Sequence, residues 1–255
     1  MGGIGFLYPG YSAEDDYPTA QRLLAHGAVG ERGDTPELVV VHTDMPEDAH
    51  RVDALLAIGA EEVLAEGARA IGPVSSLIWA CTSGSFVFGW DGASAQVGAL
   101  SAVAGVPASS TSFAFTDAAA RLGVSRVAVA ATYPGDVAER FVSFLRIAGL
   151  DVVRCSSLDI VTAAEVGTLG RGRVLELAVA GDHPEADAVL LPDTALHTVG
   201  WLDELEQRLG KPVLTANQVS IWQGLRLAGD PVARRGLGTL FTTAPADAPV
   251  ARTRG

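Results

Sequence analysis

The sequence predicts an α/β fold of two pseudo-symmetric domains, each a parallel-rich sheet flanked by helices, with the active site in the cleft between them. Three observations lead there. Short apolar runs alternate with amphipathic helical patterns along the whole chain, which is the signature of parallel sheets covered on both faces. A strand-helix-Gly-x-Pro series occurs twice, once through Gly105-Val106-Pro107 and once through Gly210-Lys211-Pro212. Finally, 255 residues with 48% apolar content suffice for one large core or two modest ones.

Residues 4–8, 38–42, 76–80, 126–130, 151–154, 188–191 and 212–215 read as strands. These runs are short, rich in β-branched residues and bounded by turn formers, which favours a buried strand over a helix. Between them, residues 47–59, 61–70, 90–104, 114–122, 134–148, 162–180 and 202–209 carry helical periodicity. Gly123, Gly149 and Gly210 follow three of these stretches, where a left-handed residue ends a helix. The repeat divides the chain into residues 1–112 plus 216–255, an N-terminal domain completed by the last helices, and residues 113–215. The tail 242–255, rich in Ala and Pro, reads as loose.

Composition narrows the function. A net charge of −12 repels polyanions and argues against nucleic acid as a partner. No apolar stretch reaches the roughly 18 residues a membrane span needs, and no signal-peptide pattern opens the chain. Cys81 and Cys155 fit neither a disulfide framework nor a zinc spacing, so a reducing, cytoplasmic location is expected. His42, His50, His183 and His197 are scattered without metal-ligand spacing, and no metal is expected.

The repeat also locates a pocket. Residues 76–80 lead into Cys81-Thr82-Ser83, and residues 188–191 lead into Pro192-Asp193-Thr194. Open parallel sheets bind ligands beyond the carboxyl ends of their strands, where both triplets fall. A turn of small hydroxyl residues entering a helix suits a carboxylate, and a thiol beside it suits chemistry. The plainer readings are that Cys81 is a small buried apolar residue and that Asp193 caps a helix starting near Ala195. Cys155 has no matching pocket and receives no role.

Cys81-Thr82-Ser83, Ala131-Thr132-Tyr133 with Asp136-Val137 and Glu139-Arg140, Leu190-Leu191-Pro192-Asp193-Thr194, and Asn217-Gln218 with Trp222 together resemble the aspartate/glutamate racemase superfamily. Maleate cis-trans isomerase and arylmalonate decarboxylase are its nearest branches. The resemblance runs from Gly5 to Phe241 and rests on the order and spacing of motifs. It implies a cofactor-independent enzyme acting on a small carboxylic acid, with two pseudo-symmetric domains and, usually, two facing cysteines. Relatives commonly pair, so a homodimer or higher homo-oligomer is an option.

By position, Cys81 is then the N-terminal catalytic cysteine. Thr82, Ser83 and Tyr133 match the groups that hold a substrate carboxylate, Thr194 adds a backbone N–H, and Tyr8, Pro9 and Gly10 form pocket wall. Asp193 stands where the second cysteine belongs; the decarboxylase branch keeps that cysteine and lacks the first, the reverse of this chain. Isomerisation of a maleate-like acid, with Cys81 as nucleophile and Asp193 as its catalytic partner, is the expected activity. Amino-acid racemisation and arylmalonate-type decarboxylation remain alternatives, and a carboxylate-binding protein is the non-enzymatic one.

Overall fold

A computed structural model describes residues 2–10, 12–28, 35–230 and 233–242; the tail expected to be loose lies outside them from residue 243 onward. The first half runs β1 (Gly3–Pro9), α1 (Asp16–Gly27), β2 (Leu38–Thr43), α2 (Val52–Ile58), α3 (Glu61–Ala70), β3 (Val74–Trp79), α4 (Ser83–Phe86), α5 (Gly89–Ala104), β4 (Ala108–Ser110) and α6 (Thr111–Leu122). The second runs β5 (Arg126–Ala131), α7 (Gly135–Ile147), β6 (Asp151–Ser157), α8 (Ala163–Gly167), α9 (Arg171–Gly181), β7 (Ala188–Leu191), α10 (Leu202–Leu209), β8 (Val213–Thr215), α11 (Ala216–Leu227) and α12 (Thr239–Thr242).

Two four-stranded sheets result, ordered β2-β1-β3-β4 and β6-β5-β7-β8, with every pairing parallel. The matching orders make the repeat real. In each sheet the strand order reverses between the two central strands, so each has a switch point at the carboxyl ends of β1/β3 and β5/β7. Covering by helices on both faces makes the central strands almost wholly apolar: β5 is buried from Val127 to Ala131 and β7 throughout.

Gly123, Gly149 and Gly210 adopt the left-handed conformation expected of them, with φ of 67°, 86° and 68°. Helix α11, begun by a capping box between Thr215 and Gln218, buries Asn217 through Ile221 and packs on β3, β4 and α6 of the first half. Ser76 Oγ donates to the Gly224 carbonyl at 2.7 Å and joins α11 to the first sheet. Asn217 and Gln218 therefore serve the fold: Asn217 Nδ2 reaches Asp16 and the Thr194 carbonyl, and Gln218 Nε2 the Leu237 carbonyl.

Two helical stretches differ from expectation. Residues 162–180 form two helices separated at residues 168–170, where Gly170 supplies the extended start of the second. The helix expected from residue 47 begins only at Val52. Asp48 and His50 instead spend their polar groups on the second half, while Glu47 pairs with Arg51. The His50 N–H donates to the Val161 carbonyl at 2.7 Å, and the Asp48 carboxylate accepts the N–H groups of Ala163 and Ala164 at 2.7 and 2.9 Å. These contacts cap α8 and outcompete an isolated helical turn.

Candidate active site

The two switch points face one cavity. Its walls include Tyr8 and Pro9 at the end of β1, Cys81 and Ser83 after β3, and Asp193 and Thr194 after β7, with His50, Met45, Leu55 and Ile58 from the segment between β2 and α3. The free volume is about 30 Å³, room for a water or two. Residues 47–50, docked on α8, form the part of the wall that joins the two halves.

Cys81 follows β3 directly and is 4% exposed. The Gly84 N–H points at its sulfur from 3.3 Å, and Ser83 Oγ lies 3.8 Å away. Burial pushes the thiol up to about 11, against the opposing pull of the Gly84 N–H and the Ser83 hydroxyl, and the charge of Asp193 adds to the rise. At neutral pH the sulfur carries its proton. Helix α6 anchors this turn, because Ser112 Oγ donates to the Thr82 carbonyl at 2.8 Å and Ser85 Oγ to Ser110 Oγ at 2.8 Å.

Of the three expected hydroxyl residues only Ser83 touches the thiol and lines the cavity; Thr82 and Tyr133 are buried behind the lining. The Thr82 hydroxyl is buried without a hydrogen-bond partner, which is costly unless something polar completes it. Tyr133 stands so close to the Thr82 and Ser83 hydroxyls that they favour its ionised form, although burial, followed by the charges of Asp193 and Cys81, holds its phenol well above the usual range. Its Oη donates to the Pro192 carbonyl at 2.6 Å. Ser83 is therefore the hydroxyl that faces the cavity, with the unpartnered Thr82 hydroxyl next to it in sequence and the Tyr133 hydrogen spent on Pro192.

Asp193, 4% exposed, is held from three sides. Thr132 Oγ1 donates a very short hydrogen bond to its Oδ2, the Ala195 N–H donates to its Oδ1 at 2.9 Å, and His50 Nε2 stands 3.9 Å from Oδ2. Residues 193–197 form no helix and helical structure resumes at Val199, so Asp193 is not a helix cap; its bond to Ala195 closes a local turn. His50 is the residue that sequence reasoning passed over. No spacing marks it, because its partners lie more than 80 positions away: Nδ1 meets the Ile160 carbonyl at 3.1 Å and the ring stands edge-on to Tyr133 at 5.0 Å.

The remaining expected residues divide. Tyr8 and Pro9 line the cavity, while Gly10, at φ 60°, packs against Met45 behind it and takes no part in the wall. The Thr194 carbonyl is occupied by Tyr8 Oη and Asn217 Nδ2. His197 pairs with Asp15 at 2.6 Å, away from the cavity. Among the described residues no group of three or more His, Cys, Asp or Glu side chains is placed to hold a metal ion, and no helix is long and apolar enough to cross a membrane.

Known proteins resemble this chain over most of its length. It is 34% identical to the arylmalonate decarboxylase of Bordetella bronchiseptica over 163 residues, 63% of this chain and 68% of that protein. It is 26% identical to the maleate isomerase of Geobacillus stearothermophilus over 121 residues, 47% of this chain and 48% of the relative. A liganded double variant of arylmalonate decarboxylase, with one glycine changed to cysteine and one cysteine to serine, superposes with a TM-score of 0.78 at 26% identity, covering 94% of this chain and 99% of the other. The family model described as arylmalonate decarboxylase matches residues 45–241, and the chain belongs to that family.

Proposed function

We propose that this protein is an enzyme that generates a carbanion beside the carboxylate of a small acid, by loss of CO₂ from a substituted malonate, with Cys81 as the proton donor. The observation that carries this reading is the buried Cys81 thiol in the cavity wall, 3.8 Å from the Ser83 hydroxyl and raised by burial, with Thr82 and Tyr133 close behind it. The hydroxyls hold the carboxylate that stays. The apolar wall of Met45, Leu55 and Ile58 disfavours the charge on the one that leaves. The C–C bond breaks, its electron pair passes into the retained carboxylate as an enediolate, and the Cys81 S–H delivers its proton to carbon. The thiolate then regains a proton from water.

Two observations rank the alternatives below this. Addition of a thiolate to a maleate-like double bond needs a sulfur that is ionised at neutral pH, and burial opposes that. An amino-acid substrate would need Asp193 to hold its ammonium group, in competition with the Thr132 and Ala195 donors that already fix the carboxylate. The reading uses side chains of this chain only. Decarboxylating relatives support it; the reversed thiol position predicts delivery of the proton from the opposite side of the substrate.

A screen in heavy water, followed by NMR, tests it with a substituted malonate, maleate, aspartate and glutamate. The malonate should yield deuterated monoacid and CO₂. Cys81→Ala should lower that turnover at least ~100-fold, the ordinary contribution of a general acid. Conversion of maleate with the malonate untouched would replace this reading with an isomerase. Affinity for the acids without any turnover, unchanged in Cys81→Ala, would leave a binding protein.

A further inference from the structure

We infer that Gln96 is the positioning residue of the Cys81 thiol: it fixes Gly84 so that the Gly84 N–H meets the charge left on sulfur when the thiol proton goes to carbon. The use of that charge in catalysis rests on the carbanion reading above. The hold of Gln96 on the thiol does not.

Gln96 lies on α5 and is buried. Its Nε2 donates to the Gly59 carbonyl at 2.7 Å and to the Gly84 carbonyl at 3.0 Å. One side-chain amide therefore joins the end of α2 to α4, the short helix after Cys81. Gly84 needs that anchor, because it has no side chain and has no room for one: a Cβ there would lie 2.9 Å from Trp79 Cζ2 and 3.1 Å from the Cys81 sulfur. The bare backbone brings its N–H to 3.3 Å from the sulfur, and Gln96 holds the same residue by its carbonyl.

The chemical setting of Gln96 sharpens the point. Its Oε1 is buried without a hydrogen-bond partner, a cost that an apolar side chain would avoid. It also borders an apolar cleft of about 230 Å³ between α3 and α5, lined by Leu64, Ala65, Phe88, Ala99 and Leu100. Departures from core chemistry of this kind collect at functional sites, and this one stands two hydrogen bonds from the thiol.

When Cys81 protonates the enediolate carbon, the S–H bonding pair stays on sulfur and a negative charge appears inside the cavity wall. The Gly84 N–H and the Ser83 hydroxyl are the groups beside it, and both pull the thiol down against burial. Donors of this kind act through where they are held.

The test uses Gln96→Met, which keeps the length of the side chain, removes both donated bonds and the unpaired oxygen, and has the cleft to expand into. In a Cys155→Ser background, iodoacetamide labelling of Cys81 at pH 9, read by mass spectrometry, should slow about threefold as the thiolate fraction drops. An amide that served stability alone would, once removed, loosen the turn and expose the sulfur, so the direction of the change separates the two roles. With a substituted malonate, kcat should fall about tenfold with KM unchanged. Gln96→Asn, whose shorter amide cannot span both carbonyls, should change both readouts in the same direction and replaces the methionine variant if that does not fold. Labelling that stays constant or quickens would overturn the inference, and so would an unaltered kcat in a folded variant. No CO₂ release by the wild type would sink the carbanion reading instead, and the labelling rates alone then decide on Gln96.

Discussion

The phenol of Tyr8, at the end of the first sheet's central strand, donates a 2.9 Å hydrogen bond to the carbonyl of Thr194, at the end of the second sheet's central strand. The same oxygen accepts the Ala13 N–H at 3.0 Å. One side chain thus ties the two strand ends that frame the cavity. Tyr8→Phe should leave the Ala13 N–H unpaired and the Thr194 carbonyl with only Asn217, at a cost of roughly 1–3 kcal/mol. Urea denaturation would measure it, and unchanged stability would show that the tie is dispensable.

The two thiols should differ in reactivity. Cys155 is exposed and Cys81 buried, and burial pushes Cys81 up to about 11. Iodoacetamide at pH 8 should therefore alkylate Cys155 first. In a Cys155→Ser protein the labelling of Cys81 should be slow and should climb steadily as pH rises toward 11. Fast labelling of Cys81 at neutral pH, read by mass spectrometry, would mean an ionised sulfur and would favour the thiolate mechanism.

Asp16 links α1 to the second half, accepting the N–H groups of Thr198 and Val199 and the Asn217 amide. Burial raises its carboxyl from 3.8 to about 6, partly opposed by the Asn217 amide and those two N–H groups. The folded state holds this proton where the unfolded chain has released it, so the group's stabilisation is complete below about pH 4 and is lost as pH rises through 6. Two units correspond to roughly 3 kcal/mol. Denaturation from pH 4 to 7 should show a fall of this order that Asp16→Asn removes; an equal slope in the variant would contradict it.

Gln96 Nε2 donates to the carbonyls of Gly59 and Gly84 at 2.7 and 3.0 Å, and the Gly84 N–H in turn points at Cys81. A Cβ on Gly59 would lie 2.4 Å from the Gly84 oxygen and 2.8 Å from Gln96 Nε2, contacts that force movement. Gly59→Ala should destabilise the fold by about 1–3 kcal/mol and also lower turnover, because the Gly84 N–H points at the Cys81 thiol. Stability loss with turnover per folded molecule intact would show that Gly84 does not position Cys81.

Much of the architecture was legible in local pattern. The seven expected strands and the left-handed glycines at 123, 149 and 210 match the fold, because parallel strands buried on both faces are continuous apolar runs. The strand β4 was missed: three residues, two of them serines, carry too little periodicity to register. The segment 47–50 was misread as helix because Asp48 and His50 find partners on the second half, which no local window contains.

The candidate site divides along the same line. Cys81 and Asp193 could be found from sequence because each directly follows an apolar run, and the strand-end rule assigns such positions to a pocket. His50, the Thr132 bond to Asp193, the empty-handed Thr82 hydroxyl and the loss of Gly10 from the wall required the folded chain.

Taken alone, the amino-acid order determined the twofold α/β architecture and the strand ends where chemistry belongs, since periodicity and helix termination are properties of neighbouring residues. The tertiary structure decided which side chains meet there. Those meetings depend on burial and on contacts such as that of His50 with Asp193, which docking of the two halves creates and which leave no trace in local sequence.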